Sequence, residues 1–400
     1  MPVLDVLVGR APWSLEFRPA DLTIPPRPPA ERIADARGAV VAALERPIRF
    51  ESFRRALTPD DRIALVVDES LPQLPALIAG VLEYLNGVGI PSFAIMAVSP
   101  AGATQAWVND LPEVFADLKT EIHAPDDRKK LGYLSATKEN TRVYLNRTIV
   151  DADQTVVLSG RGYDPLLGYS GAEGHLYPQF ADADLVKGLI PKISPQQDLA
   201  SPWPVRTEAT EVAWLLGSPF FVQVIEGDGD DLSDVVAGLG DTTADGIALL
   251  NHRWKSVVPH RPDLVIVTLT GDPARHDFAA LARAAACGAR VVKPGGPVVI
   301  LSESDPELGE AAAFLRRYDE PPEAVKHLFQ KRPPDSGPAV QWAWAAGQAK
   351  LYLASEIRPD IVEEMFATPL SGPREVQRLL DAAGHCLLIS DAHKRWVTAE

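Results

Sequence analysis

Four hundred residues carrying 39 Lys and Arg against 54 Asp and Glu give a formal charge of -15, with 46% hydrophobic and 23% charged residues. The length exceeds one ordinary core and predicts two domains, and the composition is that of a globular protein rather than a disordered one. The acidic balance, with no Lys/Arg cluster to offset it, excludes nucleic acid as a partner.

No apolar run reaches the length of a membrane span, and the start Met1-Pro-Val-Leu-Asp-Val-Leu-Val8 has no basic region ahead of its apolar residues. A cytoplasmic protein without membrane contact is expected. Cys287 and Cys386 lack metal-ligand spacing and a disulfide framework, so both are expected as small buried hydrophobes in a reducing compartment. The 36 prolines imply ordered loops.

Residues 1–30 read as an irregular arm, because Pro25-Pro26 and Pro28-Pro29 forbid a helix, with Val6, Leu7 and Val8 available for one edge strand. Helical spacing of Ile33, Ala36, Val40, Val41 and Leu44 predicts a helix over 29–44, with Ala30-Glu-Arg32 at its start. Ile63-Ala-Leu-Val-Val67 is a continuous apolar run, the pattern of a parallel strand covered on both faces. A helix over 77–85 and a strand over 93–98 follow. The repeat of strand, polar loop and helix is an α/β doubly wound pattern, whose ligands gather at strand carboxyl ends.

Further strands are expected at 121–123, 142–146, 155–159, 221–225 and 247–250, and helices near 184–189 and 207–216. Arg253 to Pro262 lacks periodicity and is read as the linker, dividing an N-terminal α/β domain over 1–255 from a C-terminal α/β domain over 263–400. In the latter, strands are expected at 263–270, 350–354 and 386–389, with a strand interrupted by a turn at 291–301. Helices are expected at 278–287, stopped by Gly288, and at 310–318, 339–347 and 374–383. Trp342 and Trp344 read as core or interface aromatics.

The strand over 155–159 empties into Gly160-Arg-Gly-Tyr-Asp-Pro-Leu-Leu-Gly-Tyr-Ser-Gly-Ala-Glu-Gly-His-Leu-Tyr-Pro178, a loop whose glycines suit either close approach of a ligand or a bare surface excursion. Glu226-Gly-Asp-Gly-Asp-Asp231 lacks the dinucleotide fingerprint and EF-hand spacing and reads as a solvated turn. Asp126 and Asp127 read as a helix cap.

In order and spacing, Ala43-Leu-Glu-Arg-Pro47, Val66-Val-Asp68 through Pro72 and Pro75, His123-Ala-Pro-Asp-Asp127, Val143-Tyr-Leu-Asn-Arg147, Gly168-Tyr-Ser-Gly171 and Lys293-Pro-Gly-Gly296 are together similar to the nickel-dependent lactate racemases and their relatives. The resemblance implies two α/β domains with the active site between them. It also implies a nickel-pincer nucleotide tethered by a lysine, a histidine ligand to nickel, and two histidines serving as acid and base. A borderline metal suits imidazole and sulfur, and racemisation needs a base on each face of the substrate carbon.

The residues that would carry these roles are replaced. The family's Asp-x-Thr-Arg-Pro reads Asp68-Glu-Ser-Leu-Pro72, and Leu71 cannot clamp a carboxylate. Gly-Thr-His becomes Val98-Ser-Pro100, the Pro-His pair becomes Tyr163-Asp164, the tether lysine falls on Gly174 and the metal-ligand histidine near Ile190. Gln-x-x-Lys aligns with Ala280 and Arg283. The resemblance thus implies a diverged member without metal or nickel cofactor that binds a small hydroxy acid or carboxylate, or is noncatalytic. The alternative is a racemase or epimerase on a 2-hydroxy acid that uses Asp164, His175 and Arg283. Asp164 and His175 would pair if the loop folds back; otherwise Asp164 caps a turn and His175 meets solvent. Asp68, Ser99, Tyr169, Ser170 and Gly171 are assigned to the cleft wall.

Overall fold

The computed structural model describes residues 3–18, 21–29 and 31–400. Two six-stranded sheets organise the chain. In the first, the central strand Ile63–Val67 lies between Ile95–Ser99, with Lys119–Ile122 beyond it, and Gln154–Gly160, which pairs with Phe220–Glu226. These five run parallel, and an antiparallel edge strand, Leu232–Gly238, closes the side next to Phe220–Glu226. All five residues of Ile63–Val67 are buried, because helices cover both faces. Ile63, Leu65 and Val67 pack with Leu77, Ile78 and Leu82, while Ala64 and Val66 pack with Ile149, Leu176 and Phe180.

The second sheet is parallel throughout, with Leu264–Thr268 between Pro297–Leu301 and Cys386–Ile389. Lys350–Ala354 and Ala367–Pro369 extend one side. Its largest helical contact is the helix Phe278–Val291, which packs against Ser336–Gln348; the second of these buries Trp342 fully. Cys287 and Cys386 are both free and buried, as their spacing implied.

Several boundaries differ from the sequence reading, each for a packing reason. The arm is not a single edge strand. Val3–Val8 and Ala11–Glu16 form an antiparallel hairpin, and Leu22–Thr23 adds a parallel strand beside Cys386–Ile389, so the arm completes the second sheet rather than the first. Val6, Val8, Leu15 and Phe17 share a core with Leu264, Ile266 and Leu388. The first helix begins only at Ala36, because the Asp35 carboxylate accepts the Gly38 amide and caps it there. Ala30, at its expected start, lies outside the described residues.

Residues 247–250 are helical, within Thr243–Trp254: Ile247, Leu250 and Trp254 recur at one face, and Gly246 packs against the Gln223 side chain. The expected linker holds the strand Lys255–Val258, which pairs parallel with Trp396–Ala399 and so ties the end of the first unit to the chain terminus. Gly288 does not stop its helix, which runs to Val291. A Cβ there would stand 2.6 Å from Val298 Cγ1, so the glycine lets the helix lie close on the sheet.

Candidate functional site

In each sheet the chain moves from its central strand first to one side and later to the other, which creates a crevice at the carboxyl ends between the two neighbours. The crevice of the first sheet lies between Ile63–Val67 and Gln154–Gly160, and Asp68 and the glycine-rich loop emerge there. Asp68 Oδ2 accepts the Gly160 amide at 3.0 Å, and Oδ1 accepts the Ser70 amide and hydroxyl at 3.1 and 2.6 Å. Nδ1 of His175 stands 3.9 Å from Oδ2, and its Nε2 is buried without a partner. His175 is therefore buried beside Asp68, not solvent-exposed, because the helical turn Glu173–Leu176 folds back over the strand end.

Asp164 goes elsewhere. It ends Gly162–Asp164, one arm of a short hairpin with Gly168–Ser170, and its Oδ1 caps the turn by accepting the Leu166 and Leu167 amides at 2.7 and 2.8 Å. The expected Asp164–His175 pair is not formed; each has a different partner. Burial pushes the Asp164 carboxyl up, opposed by the two amides and by the charge of Arg283. Tyr169 is buried, and its hydroxyl and that of Tyr163 meet the Asn251 side chain. Ser170 sits opposite Gly162 in the hairpin. Gly171 has φ +80°, and a Cβ there would overlap the Gly160 carbonyl. Buried Ser99 ends Ile95–Ser99, its hydroxyl 3.4 Å from Gln105 Nε2.

Asp164 and Arg283 do meet at one pocket, lined on one side by Tyr163, Asp164 and Trp203 and on the other by Arg283, Arg290 and Arg395. Arg283 Nε donates to the His393 carbonyl at 3.2 Å. Arg290 lies over the Trp396 ring, 3.6 Å from its centroid, and burial draws its guanidinium down to about 10. Sequence reading missed Arg290, His393 and Arg395. The available signal was His393-Lys-Arg395, three basic or titratable residues in the loop after a buried strand.

The acidic turn 226–231 is not a free solvated loop. Arg275 donates to Asp230 Oδ1 at 2.6 Å, to Glu226 Oε2 at 3.2 Å and to the Ser70 carbonyl at 2.9 Å. Lys394 Nζ donates to the carbonyls of Gly227 and Gly229 at 3.1 and 2.5 Å. Arg27 and Arg253 both reach Asp228 at 2.6 Å. Arg275 follows Leu264–Thr268 and Lys394 follows Cys386–Ile389, so loops from the second sheet's crevice clasp the first. Thr270 Oγ1 donates to buried Asp391 at 2.6 Å across that second crevice.

This architecture has known counterparts. A family model, the lactate racemase N-terminal domain, matches residues 9–188. That stretch of the chain is similar to the lactate racemase N-terminal domain. Over its whole length the chain is similar to the lactate racemase apoprotein from Thermoanaerobacterium thermosaccharolyticum, with 15% identity, a TM-score of 0.81, and coverage of 99% of this chain and 100% of that one. A Thermotoga maritima protein matches at 10% identity and TM-score 0.68, covering 91% of this chain and 97% of that one. No curated protein sequence gives a significant match.

Within this lactate-racemase-like fold, the substituted positions fall in two groups. Leu71 packs on Gly160, with its Cδ2 3.1 Å from where a Cβ would be, and so lines the first crevice with apolar atoms, while Gly174 lies against Leu167 and the Tyr169 carbonyl. Ile190 is buried in the core around the helix Phe278–Val291, together with Ala280, while Arg283 on the same helix faces the pocket.

Proposed function

We propose that this lactate-racemase-like protein binds a small 2-hydroxy acid or related carboxylate in the pocket between the two sheets, and that it does not run the family's nickel reaction. The observation that carries this is the charge of the pocket. Arg283, Arg290 and Arg395 face it, and the one carboxylate among its lining residues, Asp164, already accepts two amides. A guanidinium in a dry wall is a two-pronged receptor for a carboxylate.

Loss of the cofactor is supported by the chemistry of the residues present. The tether position, Gly174, has no amine, and a side chain there would meet Leu167 Cδ1 at 3.0 Å. Ile190 offers no ligand, and among the described residues no group of three or more His, Cys, Asp or Glu is placed to hold a metal. These residues do not fit a nickel-pincer nucleotide. Metal and nucleotide analysis of purified protein checks this, and near-stoichiometric nickel would overturn it. For binding, calorimetry with lactate is expected to saturate and to weaken in Arg283→Gln; no saturable heat with lactate or related carboxylates would sink the reading.

A second reading rests on Asp68 and His175, whose Nδ1 stands 3.9 Å from the carboxylate and whose Nε2 has no partner. In this reading the protein is a racemase or epimerase on a 2-hydroxy acid, with His175 moving the α-proton. Exchange of that hydrogen in deuterated buffer, abolished in His175→Asn, is the expected result. Equal exchange in the variant would remove His175 from the role.

A further inference from the structure

The pocket between the sheets carries more positive charge and more idle donors than one carboxylate satisfies. None of Arg283, Arg290 and Arg395 takes part in an ion pair among the described residues; their recorded acceptors are backbone carbonyls of His393, Pro195 and Pro26, at 3.2, 3.4 and 3.3 Å. A guanidinium has five N–H groups, so most remain available. Arg395 is 5% exposed and Trp203 4% exposed, yet Nε of the first and Nε1 of the second have no partner. Both are donors only, so what completes them must be an acceptor.

The charges at the pocket are few enough to count. Its acid is Asp164, held as an acceptor by two amides. His393, also on the wall, is kept neutral: burial first, then Lys394, His276 and Arg283, push its imidazole well below the ordinary value. Three guanidiniums against one carboxylate leave a surplus of two positive charges in a chain whose formal charge is -15. Unpaired buried charge is costly, and a monocarboxylate would cancel only half of this surplus.

We infer that the pocket takes a dianion, a small acid with two negative charges such as a 2-hydroxy dicarboxylate or a phosphate ester, in preference to a monocarboxylate. The inference rests on the carboxylate-binding reading above and specifies its ligand. Arg290 and Arg395 then supply the second anionic group with a receptor beyond the single basic residue, Arg283, that stands at the family's lysine position. The cavity is about 20 Å³, room for roughly one water, so the ligand enters as its two walls part. One wall comes from the hairpin and Trp203, the other from the helix Phe278–Val291 and the terminal 393–396 segment, so parting them is a movement of one sheet's loops against the other's.

Calorimetry on the full chain at constant ionic strength, with lactate, malate and inorganic phosphate as probes, tests this. Malate or phosphate is expected to bind at least about tenfold tighter than lactate, the equivalent of one further charge-assisted hydrogen bond. Tighter phosphate points to a phosphate ester and tighter malate to a dicarboxylate. Both Arg290→Gln and Arg395→Gln are expected to shrink the ratio to within about threefold, with an unchanged circular dichroism spectrum and unfolding midpoint as the sign of correct folding; an unchanged ratio in both variants would overturn the inference. Lactate binding as tightly as both dianions would overturn the dianion inference and leave the carboxylate reading standing. Binding of none of the three would overturn both.

Discussion

Lys394, just past a strand of the second sheet, places its ammonium 3.1 Å from the carboxylate of Glu226, the last residue of a strand in the first. Burial would push the Glu226 carboxyl up, but Lys394 and Arg275 outweigh it and hold the group below the usual range. Lys394 also spans the carbonyls of Gly227 and Gly229, so a single ammonium fills the place a bound cation takes in other acidic turns.

The clasp is expected to contribute to stability. Lys394→Met leaves Glu226 with Arg275 alone and two glycine carbonyls without a donor, and a loss of about 2–3 kcal/mol is expected in urea denaturation. A loss under about 0.5 kcal/mol would mean the pair behaves as an exposed one. Because the folded carboxyl titrates below its unfolded value, its contribution is complete above the unfolded value and disappears as pH falls through the folded one, so Glu226→Gln should flatten the acid limb below about pH 4.5.

A second pH dependence comes from imidazoles. His123, His276 and His393 are all drawn below the ordinary value, burial being the largest cause for each. The unfolded chain therefore binds protons that the folded one refuses, and stability should fall as pH drops below about 6.5, by up to about 1.4 kcal/mol per pH unit for each proton. The rings of His276 and His393 lie 5.2 Å apart beside Lys394 and Arg275, so His393→Gln should reduce the slope between about pH 6.5 and 5. An unchanged slope would show that His393 titrates normally.

Gly171→Ala should be severe. The residue needs φ +80° and the Gly160 carbonyl occupies the space of a Cβ, so a loss of about 2–4 kcal/mol is expected from thermal unfolding. The displacement would also move Ala172, whose amide donates to Ser159 Oγ at 2.8 Å, and with it the turn that carries His175.

Gly288→Ala tests the helix–sheet contact in the second unit. The new methyl meets Val298 Cγ1 at 2.6 Å, and about 1–3 kcal/mol of overpacking is expected despite the better helix propensity of alanine. A stabilised variant would mean that the helix slides freely over the sheet.

Strands such as Ile63–Val67 and Leu264–Thr268 were legible because five successive apolar residues can be buried only in a sheet covered on both faces. The strand Leu232–Gly238 was not, since four of its seven residues are only half-buried and it pairs at an edge. Residues 247–250 misled for a related reason: a short apolar run fits either period until the flanking Trp254 is known to share its face.

The candidate site divides along the same line. The sequence alone determined which residue types were missing from the family's loops, because identity and spacing decide whether an amine or imidazole is present at all. It also placed Asp68 and the glycine-rich loop at strand ends, where a local rule suffices. Only the tertiary structure decided that His175 turns to Asp68 while Asp164 caps its own hairpin turn, that the arm completes the second sheet, and that Arg290, Arg395 and Lys394 converge on loops distant in the chain. Pairing across such separations is set by which buried charges and donors find partners once the sheets pack, and no local periodicity carries that information.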